Sequence, residues 1–218
     1  MLNGFEADRF ACNVETTAAQ YLAPPSQRDY IKAALFVNTL AEEEYQARVS
    51  DDGMIDCQAG CAHCCIVNVA VLRPEADAIA AWLIEHRSPQ EVDTLRSRLI
   101  TLEKETRWLD DEERMMVRKS CAFLDQEGRC DIYPVRPLLC RALNSTSSDD
   151  CREAVAMLAL DEQRPIVSNL LQKEIFESAF RGFGEALKQN GVDHRSHRLT
   201  SAVRERLERF RPNPQEEK

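Results

Sequence analysis

The stretch Cys57-Gln58-Ala59-Gly60-Cys61-Ala62-His63-Cys64-Cys65 sets four thiols within nine residues, and the rest of the chain reads as scaffold and second half for the site they begin. Thiolates select zinc, copper(I) or iron-sulfur clusters over hard cations, so four sulfurs this close point to soft-metal ligation. Spacings of two to four residues let two sulfurs turn towards one ion without bending the backbone. Adjacent Cys64 and Cys65 do not fit one tetrahedral ion together, because neighbouring side chains point apart. They are expected to serve different metals, or one of them is a bridging or non-ligand thiol.

Working outward, eight of the nine cysteines fall into two groups, Cys57, Cys61, Cys64 and Cys65, then Cys121, Cys130, Cys140 and Cys151. The second group needs a fold to converge. Cys12 stands apart and is expected to take no part in the site. An odd cysteine count in a chain of 218 residues is a poor disulfide framework,. Eight thiolates suffice for two four-sulfur sites, or for one dinuclear cluster with thiols spare. Zinc would give tetrahedral structural sites and iron a cluster able to carry electrons, and the spacing does not decide between them. His63 is expected exposed or in a supporting role, and His194 with His197 as a solvated pair. Arg129, Arg136 and Arg141 lie between thiols, where cations would offset thiolate charge.

A segment either side of the cysteines reads as helix. Tyr30, Ala34, Val37, Ala41 and Tyr45 form an apolar stripe over Gln27 to about Val49. Before it the pattern is weak, with at most a short helix over Val14 to Tyr21, ended by Pro24-Pro25. Ile66 to Leu72 reads as a short strand or buried extended segment. Arg73-Pro74-Glu75 starts a helix with proline at its first position, and Glu75 and Asp77 read as first-turn charges. Ser88-Pro89-Gln90-Glu91 starts its partner with a capping box, and a shorter run covers Asp110 to Lys119. Cys121 to Tyr133 predicts a small hairpin turning at Asp125 to Gly128. Pro134 and Pro137 lead into a short helix bearing Cys140 and Arg141. Cys151 sits in the first turn of a helix to about Leu160, capped by Ser148 or Asp150. Helices over Pro165 to Gln189 and Ser196 to Phe210 follow, then a tail from Arg211 to Lys218 expected to be disordered.

The expected fold is therefore mainly α: a single helical domain over 1–218 with a cysteine-rich metal-binding loop region and at most a short β-hairpin. Residues 57–151 form its metal-binding core and 152–210 its C-terminal helices. Only seven glycines agree with helices rather than an all-β architecture,. Twenty-eight Lys and Arg against 37 Asp and Glu give a net charge of −9, which disfavours nucleic acid and anionic lipid as partners,. No apolar run approaches the roughly 18 residues of a membrane span, and Met1 to Cys12 lacks a secretory pattern, so a cytoplasmic protein is expected. No GxGxxG or GxxxxGK[ST] stretch supports nucleotide binding.

The two motifs together, Cys57-x3-Cys61-x2-Cys64-Cys65 and Cys121-x-Phe123-Leu124-x3-Gly128-x-Cys130-x-Ile132-Tyr133-x2-Arg136-Pro137-x2-Cys140-Arg141, resemble the YkgJ-type cysteine-cluster family, a zinc- or iron-chelating domain. The resemblance covers about Cys57 to Cys151 and implies a metal ion as partner, zinc or iron, with an iron-sulfur cluster as one form. The segment Arg141-Ala-Leu-Asn144-Ser145 resembles a subgroup of the family and brings Cys151 into the ligand set. A related group, the flagellin lysine methylases, uses a similar cysteine motif for an iron-sulfur cluster. That resemblance implies, as the alternative, an iron-sulfur-dependent protein-modifying or redox enzyme.

Overall fold

The computed structural model describes residues 4–23, 26–49, 55–160, 162 and 164–209. The expected helix stop at Pro24-Pro25, Phe210 and the tail from 211 lie outside the described residues. Among the described residues the architecture is mainly α, with one two-stranded antiparallel sheet.

Helices α1 (Ala7–Leu22), α2 (Gln27–Arg48) and α8 (Leu170–Gln189) pack around one apolar core. The N-terminal helix is longer than its sequence pattern predicts. Phe10, Val14, Ala18 and Leu22 recur every four residues on its buried face, and small residues around them dilute the apolar signal. Gly182 explains how closely α1 and α8 cross, since a Cβ there would stand 2.2 Å from the Ala11 carbonyl oxygen. Helix α8 begins at Leu170 rather than at the expected Pro165: Asn169 caps it by accepting the Gln172 N–H at 3.1 Å. The preceding backbone is already engaged, with Thr146 N–H donating to the Val167 carbonyl, so Val167 sits 63% exposed although it continues the apolar spacing.

A second core gathers α3 (Arg73–His86), α4 (Pro89–Thr106) and α9 (Leu199–Arg209). Helix α4 starts as its capping box dictates, Ser88 and Glu91 satisfying each other's backbone N–H,. In α3 the proline occupies the second helical position rather than the first, Leu72 being the N-cap. The side chains of Glu75 and Asp77 are buried, not solvated as first-turn charges would be. Glu75 accepts the N–H of Leu72 at 2.8 Å and of Leu138 at 2.9 Å, tying α3 to α6 (Leu138–Ala142). Asp77 pairs with Arg206 of α9, Nη2 to Oδ2 at 3.0 Å.

The short strand expected within Ile66 to Leu72 is β1 (Ala70–Val71), and its partner is β2 (His197–Arg198), with Ala70 opposite Arg198 and Val71 opposite His197. Ser196 to Arg198 are thus not helical, and α9 starts at Leu199, whose N–H donates to the Val69 carbonyl at 2.8 Å. The hairpin expected at Cys121 to Tyr133 reduces to a single antiparallel bridge, Leu124 to Cys130, about a turn closed by Asp125. Asp125 accepts the N–H groups of Glu127 and Arg129 there, which favours a local turn over a longer ladder,. Helices α5 (Asp111–Met116) and α7 (Ser148–Met157) complete the chain order, α7 running into a 3₁₀ turn at Leu158–Leu160. Ser147, not Ser148 or Asp150, caps α7, its hydroxyl accepting the Asp150 N–H at 3.1 Å.

Candidate metal centre

The first cysteine motif is a run of tight turns, in which Cys61 N–H donates to the Gln58 carbonyl and Cys65 N–H to the Ala62 carbonyl, each at 3.0 Å. Gly60 and Gly128 both hold positive φ, at 92° and 75°, and their turns lie back to back. A Cβ on Gly128 would stand 3.0 Å from the Gly60 carbonyl oxygen, so the first motif and the turn between Cys121 and Cys130 touch through two glycines,.

Backbone bonds then sort the motif's two ends. Asp56 N–H donates to the Ser145 carbonyl at 2.9 Å, while its carboxylate accepts the Ser148 N–H at 2.8 Å and hydroxyl at 2.6 Å. The sulfur of Cys57 accepts the Ser145 N–H at 3.3 Å. This end is therefore fastened to the start of α7, the helix of Cys151. At the other end, Cys121 N–H donates to the Cys65 carbonyl at 2.7 Å.

The electrostatic neighbours of each thiol follow the same division. Cys57 is affected by Cys64, Cys61 and Cys151, and Cys61 by Cys64 and Cys151. Cys65 is affected by Cys121 and Cys140, Cys121 by Cys130, and Cys140 by Cys121, Cys130 and also Cys64. Cys64 and Cys65 hydrogen-bond through their side chains, so Cys64 joins the two sets. The adjacent pair, expected to serve different metals or to include a bridging or non-ligand thiol, is thus joined by a side-chain hydrogen bond. Cys12 is exposed on α1.

Burial pushes most of these thiols up, Cys121 to about 11 and Cys140 further, as it does Cys57, Cys61 and Cys130. Cys64 moves down, because the Cys65 thiol donates to it and the Arg136 guanidinium attracts its charge. Opposing the burial, N–H groups reach several sulfurs from two residues onward: His63 to Cys61, Phe123 to Cys121 and Ile132 to Cys130. Such bonds favour the thiolate, the form that binds metal. His63 thereby contributes through its backbone.

The expected cations behave differently from one another. Arg136 lies against the thiols, with Cys140, Cys130 and Cys64 all favouring its charge and its Nη2 holding the Cys140 carbonyl. Arg141 pairs with Glu42 at 3.4 Å and also acts on Cys130 and Cys140. Arg129 is exposed and pairs with Asp125 and Glu127 instead of any sulfur. His197 bonds Asp193 at 3.2 Å rather than His194. Sequence reasoning missed Asp56, Glu75 and Arg114 as residues around the site; only Glu75 left a signal, its position three residues past a helix cap.

An all-thiol donor set fits zinc or iron and not a hard cation. Among the described residues no three of His, Cys, Asp or Glu already close on one point in ligating geometry, so side-chain rotation must complete any site.

Helices holding cysteine-rich loops together define a helical cysteine-cluster protein. Residues 56–163 match the CxxCxxCC family, described as "Putative zinc- or iron-chelating domain". The first motif departs from the family's name by one added residue between Cys57 and Cys61, next to Gly60. No curated protein and no solved structure matches the chain. Among the described residues no helix is long and apolar enough to cross a membrane.

Proposed function

We propose that this protein holds zinc or iron through two groups of four thiolates, Cys57, Cys61, Cys64 and Cys151 in one and Cys65, Cys121, Cys130 and Cys140 in the other. The observation that carries the reading is the division at Cys64-Cys65, where backbone bonds and electrostatic neighbours send the two halves of one motif to two different partners. Zinc would supply structural cross-links, and iron, as a cluster, electron transfer. The chain's own part is to bury the sulfurs, to lower the cost of their charge with N–H donors and Arg136, and to bring Cys151 in through Asp56. With a net charge of −9, attraction for cations is general, whereas the thiols give the selectivity,.

Anaerobic purification followed by metal analysis and a visible spectrum tests this. Stoichiometric zinc in a colourless protein, or iron in a coloured one, is the expected result, and acid-labile sulfide with the iron would identify a cluster. Protein carrying neither metal above background contradicts the proposal.

A further inference from the structure

We propose that the cavity beside Cys64, Cys65, Cys121 and Cys140 binds a small oxyanion, a phosphate or carboxylate group, held by Arg114 and the start of α9. In a chain of net charge −9, this cavity of about 50 Å³ is bordered by four guanidinium groups, those of Arg107, Arg114, Arg136 and Arg198. Its one carboxylate, Glu103, is taken by Arg204. Arg198 spends its two Nη atoms on the carbonyls of Thr106 and Leu109, at 2.7 and 2.6 Å. Arg107 stacks on Trp108 at 4.6 Å.

Arg114 is the exception. It is 3% exposed, and its Nη1 has no hydrogen-bond partner among the described residues. A buried guanidinium with an unpaired donor is costly, so an anion at this place would relieve an existing penalty. The second observation is independent. The N-terminal turn of α9 carries no acidic side chain, and its Thr200 and Ser201 line the same cavity. Among the described residues only the Leu199 N–H is used, by the Val69 carbonyl, so the N–H groups that follow and the positive end of the helix dipole are available to negative charge,. A cavity of this volume accepts one oxyanion group and not a large molecule. Arg114 also faces Cys121, so its competing role is counter-charge for thiolates. Hydroxyls and a helix start on the same cavity go beyond what that role needs.

Equilibrium dialysis of the protein as purified, with sodium phosphate against sodium chloride at matched ionic strength and sodium acetate in parallel, tests the site. One bound phosphate or acetate per chain is expected, with affinity at least ten-fold weaker in Arg114→Gln and in Ser201→Asp, and with metal content unchanged in Ser201→Asp. Ser201→Asp puts a carboxylate where a helix start favours one, so that variant should fold. Preference for phosphate assigns a phosphate group, and equal or better binding of acetate a carboxylate. The proposal is overturned if neither anion binds above chloride, if both variants bind as the parent does, or if Arg114→Gln loses metal while anion binding is unaltered. Metal content of the parent in the same dialysate reports separately on the thiolate reading.

Discussion

Glu75 shows what a single buried group does here. Burial pushes its carboxyl up to about 7, against the two N–H bonds from Leu72 and Leu138. A carboxyl whose folded value lies above its ordinary 4.5 keeps its proton in the folded protein where the unfolded chain has lost it. Its contribution to stability is therefore full below about pH 4.5 and is lost as pH rises through about 7, by up to about 3 kcal/mol at 1.36 kcal/mol per unit,. Urea unfolding at pH 5 and pH 8 should show this loss in the parent and not in Glu75→Gln. That variant should be about 1–3 kcal/mol less stable at pH 5, because an amide NH₂ then faces one of the two donors. Equal pH dependence in both proteins would contradict the assignment. This role was half legible in the sequence. The helix start at Arg73-Pro74-Glu75 could be read, but burial depends on α6 lying across it, which local spacing does not encode.

Among the elements, the crossing of α1 and α8 is the most demanding contact. Gly182→Ala would drive a methyl group into the Ala11 carbonyl, so the helices must separate and chemical denaturation should report a loss of about 1–3 kcal/mol,. Gly184→Ala, whose new methyl would lie 4.0 Å from its nearest neighbour at Leu72, is the control and should change stability little. Helix α4 was legible because cap and stripe agree, and α2 through its apolar stripe alone. The true extent of α1 was not, since the small residues around its stripe dilute the apolar signal. Nor was the partner of β1, because the Ala70 to Arg198 pairing joins segments far apart in the chain and leaves only two residues of strand on each side.

Across the whole molecule α3 joins the two apolar cores, with Ala78 in the first and Ala76 and Ile79 in the second. The two cysteine groups and the poor fit of adjacent Cys64 and Cys65 to one ion could be read from spacing and from the geometry of adjacent side chains. The bond of Asp56 to the start of α7 and that of Cys121 to the Cys65 carbonyl could not be read, because each joins segments far apart in the chain. Structural zinc contributes roughly 10–16 kcal/mol in finger peptides, as much as the whole stability of an ordinary domain, so chelation should unfold at least the Cys121 to Cys151 segment. Faster amide exchange there than in α1 and α8 after metal removal would register it, and uniform protection would contradict it.

Metal content of Cys151→Ser, Cys130→Ser and the double variant, beside Cys12→Ser, tests the two-group arrangement most directly. Each single cluster variant should keep about half the parent's metal and the double variant essentially none, while Cys12→Ser keeps all of it. Loss of all metal in either single variant, or full retention in both, would contradict two separate thiolate groups.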